Sequence, residues 1–316
     1  TATVRTMSAA SLTKNVSAGL LRQGGAVSRF QGFPVCKRQL FSAVKRQSPS
    51  TPGSAIVRAA ISAETPSAVP QRVVPDTLPK VYVYDHCPFC VRVRVALGYK
   101  NVKHQLVFMA NDDVHTPTGL IGKKLAPILE CPDDGTVMNE SLDIVQFFDK
   151  NEKYGPTDAI APMSERTDIK AWMKSTQSLL RLLHRPRYMK APLPEFQQQD
   201  SLDYFVSGHQ LPPFEKAAWK EELDMATKWE KYEEAMARTP ELLPELNQKL
   251  KELDGLIHCE HYCTEGIGFS YDDVDLWARL RSLTLVKGAD FGPKTRAYLD
   301  NLSKRCDVPL YDCMAM

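Results

Sequence analysis

Cys87 and Cys90 stand two residues apart in the stretch YDHCPFCVRV, with Pro88 and Phe89 between them. A pair at this spacing has three ordinary uses: half of a zinc site, a structural disulfide, or a redox nucleophile with its resolving partner. Zinc would want two further ligands at similar spacing. The other cluster of suitable residues is HCEHYC, with His258, Cys259, His261 and Cys263, which lies far along the chain and reads as a polar loop. A purely structural disulfide suits small secreted chains dense in cysteine. Eight irregularly spaced cysteines in 316 residues are not such a framework. Redox catalysis is the remaining use.

The surroundings support it. KVYVYD, just before the pair, is a short run of β-formers and reads as a buried strand. The following VRVRVALGYKN alternates Val and Arg like a strand, yet Val91, Val95 and Tyr99 also fall at helical spacing. Pro88 decides for a helix, because its missing N–H is not needed in a first turn. Gly98 either closes that helix or sits within it. A cysteine at a helix N-terminus gains thiolate stabilisation from unpaired amides and the helix dipole. Cys87 is therefore the expected nucleophile, and Cys90, one turn in, the expected resolving thiol.

Two more stretches bear on the same chemistry. Ala126-Pro127 opens the apolar run LAPILEC, where proline is odd for a central strand. A cis bond would resolve this and turn the preceding backbone towards a peptide-like ligand; a trans proline at a strand edge is the alternative. Glu140-Ser141 precedes an amphipathic helix with Leu142, Ile144, Val145 and Phe148. Plain capping by Ser141 is the simpler use and is favoured by local sequence alone. The other is a site for a γ-glutamyl group: amides and hydroxyl for its carboxylate, Glu140 for its ammonium.

The elements that must position these residues run β-α-β-α-β-β-α. HQLVFM (104–109) is the second strand, TPTGLIG (116–122) a short helix, LAPILEC the third strand and TVMN (136–139) the fourth. Beyond about residue 155 the strand signals vanish. Ser164 to Lys190 has helical spacing and is expected to end at Pro186. Phe214 to Arg238 is rich in Glu, Lys, Ala and Trp, and Pro240 to Ile257 is another helix. Ser270-Tyr-Asp-Asp273 is a capping box before DLWARLRSLTLV. Pro293 to Arg305 closes an all-helical half.

The first 63 residues are different in kind. They hold nine Lys or Arg, many Ser and Ala, and no Asp or Glu; the first acidic residue is Glu64. This is the composition of an organelle transit peptide, and IVRAA (56–60) resembles a chloroplast cleavage pattern, with a mitochondrion as the alternative. The chain starts at Thr1 rather than Met, which fits a piece of a longer precursor. The whole chain carries a net +2; beyond residue 63 it holds 31 Lys and Arg against 38 Asp and Glu, a net of −7. An acidic body has no electrostatic footprint for nucleic acid. No apolar run is long enough to span a membrane. The expected organisation is a transit peptide over 1–63, a proline-rich linker over 64–79, an α/β domain over 80–153 and a helical domain over 154–316.

From about Lys80 onward the chain resembles the type-2 glutaredoxins of bacteria. The shared marks are VYVYDHCPFC, NDD with TPT (111–118), APIL, NESLDIV, LRSLTLVKG and the closing CMAM. The resemblance implies a thioredoxin-like α/β domain followed by an all-α domain of glutathione-transferase type. It implies glutathione as electron donor and co-substrate, with no metal, glutathionylated proteins as partners, glutathione reductase as electron source, and a monomer. It carries over Cys87 and Cys90 as the catalytic pair and Pro88, Phe89, Ala126, Pro127, Glu140 and Ser141 as the glutathione site. Two departures are Phe89, where many glutaredoxins have Tyr, and Ala126, where bacterial relatives have a larger residue. Tyr84 stands where small glutaredoxins have Lys, so thiolate stabilisation is expected to lean on the helix end and on Arg92 or Arg94. The rival functions are a glutathione transferase or isomerase on the same scaffold and an iron–sulfur cluster carrier. Structurally similar intracellular chloride channel proteins suggest a third option, which the acidic charge and the lack of a long apolar run make remote.

Overall fold

The computed structural model describes residues 68–316. The basic leader and the first residues of the proline-rich segment lie outside them. The rest of that segment is tied down: the Val73 amide donates to the Asn101 carbonyl at 3.0 Å, and the Lys103 amide donates to the Val73 carbonyl at 2.8 Å.

The Val-rich run before the cysteine pair forms β1 (Lys80–Val83), and Val81 and Val83 are fully buried. Helix α1 (Pro88–Tyr99) follows, then β2 (Gln105–Phe108), α2 (His115–Ile121), β3 (Ile128–Cys131), β4 (Thr136–Asn139) and α3 (Ser141–Lys150). The strands form one sheet in the order β2-β1-β3-β4. β1 pairs parallel with β2, while the β1/β3 and β3/β4 pairs are antiparallel. This is the expected β-α-β-α-β-β-α half.

α1 is the centre of the molecule. It packs against α3 and also against two helices of the second half, α9 (Tyr271–Leu280) and α10 (Pro293–Cys306). A helix covered on every side is apolar all round, which is why its sequence also resembled a strand. Its two arginines are buried because each is paired: Arg92 with Asp275, Arg94 with Asp85. Gly98 lies inside this helix. A Cβ there would stand 1.9 Å from the Cys306 carbonyl oxygen, so no side chain fits.

The helical half comprises α4 (Thr167–Tyr188), α5 (Gln199–Gly208), α6 (Lys216–Glu221), α7 (Met225–Ala237), α8 (Thr239–Leu256), α9 (Tyr271–Leu280) and α10 (Pro293–Cys306). Three expectations need correction. α4 continues past Pro186 to Tyr188. A proline in the last turn removes a single bond, and the Arg187 guanidinium donates to the Leu183 carbonyl at 2.7 Å in that turn. The stretch 214–238 is two helices, because the Asp224 carboxylate accepts from the Thr227 amide at 2.8 Å and starts α7 afresh. α5 is an addition to the expected helices. Its signal is Leu202, Phe205 and Val206 at helical spacing, in a stretch barely one helix long. The capping box is present: Asp273 accepts from the Ser270 amide at 2.8 Å at the start of α9.

Candidate active site

Cys87 is the N-cap of α1, with extended backbone (φ −74°, ψ 118°), and Pro88 is the first helical residue. Cys87 is half-buried and Cys90 fully buried; neither is in a disulfide. The Tyr84 amide lies 3.4 Å from the Cys90 sulfur. The hydrogen bond from the Cys90 thiol pulls the Cys87 thiol down to about 6, against the opposing effect of burial, with help from the charge of His86 and the Cys90 and Phe89 amides. Burial pushes Cys90 well up, and the neighbouring Cys87 adds to it. One thiol is poised to be a thiolate near neutral pH and the other to stay protonated.

Arg92 and Arg94 are not part of that stabilisation, contrary to expectation. Arg92 donates from Nε to Asp275 at 3.0 Å and from Nη1 to the Ser141 hydroxyl at 3.1 Å. Arg94 is committed to Asp85. The help comes instead from the charge of His86, which no local motif marks. Its Nδ1 lies 2.6 Å from Glu195 Oε1, and the same oxygen accepts from the His86 amide at 2.8 Å. Glu195 is fully buried and comes from the helical half, between α4 and α5. The imidazole packs among Tyr188, Phe196 and Phe205, with ring centroids 4.9 to 5.1 Å away. A Glu over a hundred residues away leaves no local pattern, so sequence had no means of pairing it with His86.

The residue before His86 is anchored in the same way. Asp85 receives two bonds from Arg281 Nη2, at 3.1 and 3.2 Å, and one from the Tyr311 hydroxyl at 2.7 Å. Arg281 Nη1 also donates to the Asp85 carbonyl at 2.7 Å. The charges of Arg281 and Arg94 hold the Asp85 carboxyl far below the usual carboxylate range despite its burial. The loop carrying the nucleophile is thus tied to the helical half on both sides of its backbone.

The other expected site residues fall around Cys87 in two groups. Phe89 is exposed beside it, with the Arg92 guanidinium 4.8 Å from its ring centre. The Ala126-Pro127 bond is cis. Pro88, Phe89 and Ala126 line a cavity of about 650 Å³ together with Cys87. Pro127, Glu140 and Ser141 do not line it. Ser141 is the first residue of α3, not its cap, so the simple capping role does not apply. Its buried hydroxyl oxygen accepts from Arg92, which leaves its own proton free to donate. Glu140 is exposed and held at φ 76°, ψ 108°, a region that non-glycine residues seldom occupy and that concentrates at functional sites. Among the described residues no cluster of three or more His, Cys, Asp or Glu is arranged to hold a metal.

A thioredoxin-like sheet with a dithiol at the start of its first helix, followed by an all-helical half of glutathione-transferase type, defines the class of protein. Comparison with known proteins narrows it. Residues 86–151 match the family described as glutathione S-transferase, N-terminal domain, and residues 168–315 match glutaredoxin 2, C terminal domain. Glutaredoxin 2 of Escherichia coli K12 is 32% identical over 238 residues, covering 75% of this chain and all of the relative. The crystal structure of glutaredoxin 2 from Salmonella typhimurium, in complex with glutathione, superposes with a TM-score of 0.65 at 30% identity, covering 76% of this chain and all of that one. The chain belongs to the glutaredoxin 2 family.

Proposed function

We propose that this protein is a glutathione-dependent thiol–disulfide oxidoreductase working through Cys87 and Cys90. The observation that carries the reading is the split between the two thiols: a half-buried Cys87 lowered to about 6 beside a fully buried Cys90 pushed well up. The glutathione in the Salmonella relative supports the choice of co-substrate.

The Cys87 thiolate attacks the glutathione sulfur of a protein–glutathione mixed disulfide. The old S–S bond breaks, the client leaves as a thiolate that takes a proton from solvent, and glutathione is left bonded to Cys87. A second glutathione thiolate attacks that bond, leaves as oxidised glutathione and restores Cys87. With a protein disulfide, Cys90 loses its proton and closes on Cys87 instead. The Ala126 backbone beside the cis bond pairs the peptide part of glutathione. Ser141, with its free proton and the α3 amides, takes the γ-glutamyl carboxylate, and Glu140 takes the ammonium. Phe89 offers an apolar face next to the reacting sulfur. Glutathione reductase supplies the electrons, glutathionylated proteins are the clients, and the protein acts as a monomer in the chloroplast, or failing that the mitochondrion. A fluorescent fusion of the whole chain would show the compartment.

The direct test is a coupled assay that follows NADPH through glutathione reductase. Cys87→Ser is expected to lose essentially all activity, and Cys90→Ser to keep most of it on mixed disulfides. Full activity in Cys87→Ser would overturn the proposal. The cavity beside Cys87 favours a second reading, a transferase or isomerase that adds glutathione to an electrophile. Such an enzyme would conjugate chlorodinitrobenzene and would have no use for Cys90.

A further inference from the structure

The cavity and the α3 terminus serve different halves of a substrate. The cavity takes in Cys87 and Ala126 yet reaches neither Glu140 nor Ser141. A mixed disulfide with its glutathione half at α3 therefore turns its other half into the cavity. At about 650 Å³ the space suits a small molecule.

The charge of this space is one-sided. Lys124, Arg181, Arg185, Lys216 and Arg279 line it, and among the described residues no Asp or Glu does. Two of the five are offset from behind: Arg279 donates to Asp275 at 3.0 Å, and Asp112 and Asp113 lie near Lys124. Arg185 bonds a neutral carbonyl, that of Gln210. The side chains of Arg181 and Lys216 make no hydrogen bond or ion pair among the described residues. The histidines respond to burial and to this excess. His184 is held well below its usual range and His209 is pushed down to about 3, in both cases by burial first and the Arg185 charge next. Tyr84 and His184 line the space, and the buried Tyr84 hydroxyl and His184 Nδ1 have no partner among the described residues. The remaining wall includes Trp172, Leu180, Tyr188 and Phe205.

Building on the glutaredoxin reading, we infer that this cavity is a subsite for the non-glutathione half of small mixed disulfides, selecting thiols that carry a carboxylate or sulfonate on an apolar, preferably aromatic, body. The chemistry is that already given: the Cys87–glutathione bond forms, the substrate S–S bond breaks, and the anionic thiol leaves through the cavity with a proton from solvent. Arg181 and Lys216 meet the anion, and the aromatic wall meets the body.

The test uses preformed mixed disulfides of glutathione with mercaptopropionate, mercaptoethanol and mercaptoethylamine, which differ in the charge of a tail of similar size. Each kcat/KM is divided by the uncatalysed rate with glutathione, because leaving thiols differ in pKa. The corrected rate for the carboxylate should exceed that for the ammonium by about tenfold, and the ratio should shrink as salt rises. Arg181→Gln with Lys216→Gln should collapse the ratio, and Arg181→Glu should reverse it. Mercaptobenzoate should outperform mercaptopropionate. Equal use of the three tails, or an order that Arg181→Glu leaves intact, overturns the inference while leaving the glutaredoxin reading standing. No turnover of any of the three would defeat that reading and this inference with it.

Discussion

At the scale of single residues, reactivity at Cys87 is set by neighbours that are not themselves reactive. The thiol is lowered to about 6, so the thiolate is present above that pH and is lost as pH falls through it. Alkylation by iodoacetamide should follow this, with a midpoint near pH 6 for Cys87 and little reaction at buried Cys90 below neutral pH. His86→Ala should move the midpoint upward, since its charge is one of the lowering influences. A midpoint unmoved in His86→Ala would show that the helix end and Cys90 suffice.

At the scale of elements, most of the α/β half was legible. Strands β1 to β4 and the helix behind Pro88 announced themselves because β-formers, a proline and a cysteine pair stood in short local order. What was not legible depended on contact between distant segments. Gly98 could have ended a helix or continued one, and only the Cys306 carbonyl packed against it shows why glycine is there. Pro186 looked like a stop because sequence cannot show that a helix has almost finished. α5, and with it one wall of the cavity, was hidden because neither a capping side chain nor a proline marks its start. Ser141 looked like a cap and is instead bonded to an arginine of α1. The Gly98 contact gives a clear forecast. Gly98→Ala places a methyl against backbone that cannot swing aside, so α1 and α10 must part, at a cost of about 2–3 kcal/mol. A urea midpoint equal to that of the unmodified protein would contradict it.

At the scale of the whole molecule, two features stand together: the body beyond residue 63 is acidic, while the space beside the nucleophile is cationic. A local patch opposed to the net charge concentrates anions where they react. The two halves also share one core, in which Val91, Val93 and Leu97 of α1 belong to the same cluster as Trp277 and Leu280 of α9. A fragment of residues 68–155 would expose the face of α1 that α9 and α10 cover. It should lack cooperative thermal unfolding, which circular dichroism would show. A fragment that melts cooperatively would mean that the sheet and α3 are enough.

Asp85, His86 and Cys87 follow one another in the chain, and the first two are held by Arg281, Tyr311 and Glu195 of the second half. In this protein the active-site segment is therefore not a portable cassette. Grafting the dithiol strand-and-helix unit onto another scaffold, or exchanging the helical half for one from a distant transferase, would transfer the sulfurs without the contacts that hold Asp85 and His86 beside them. Such chimaeras would have to inherit all three distant residues as a set.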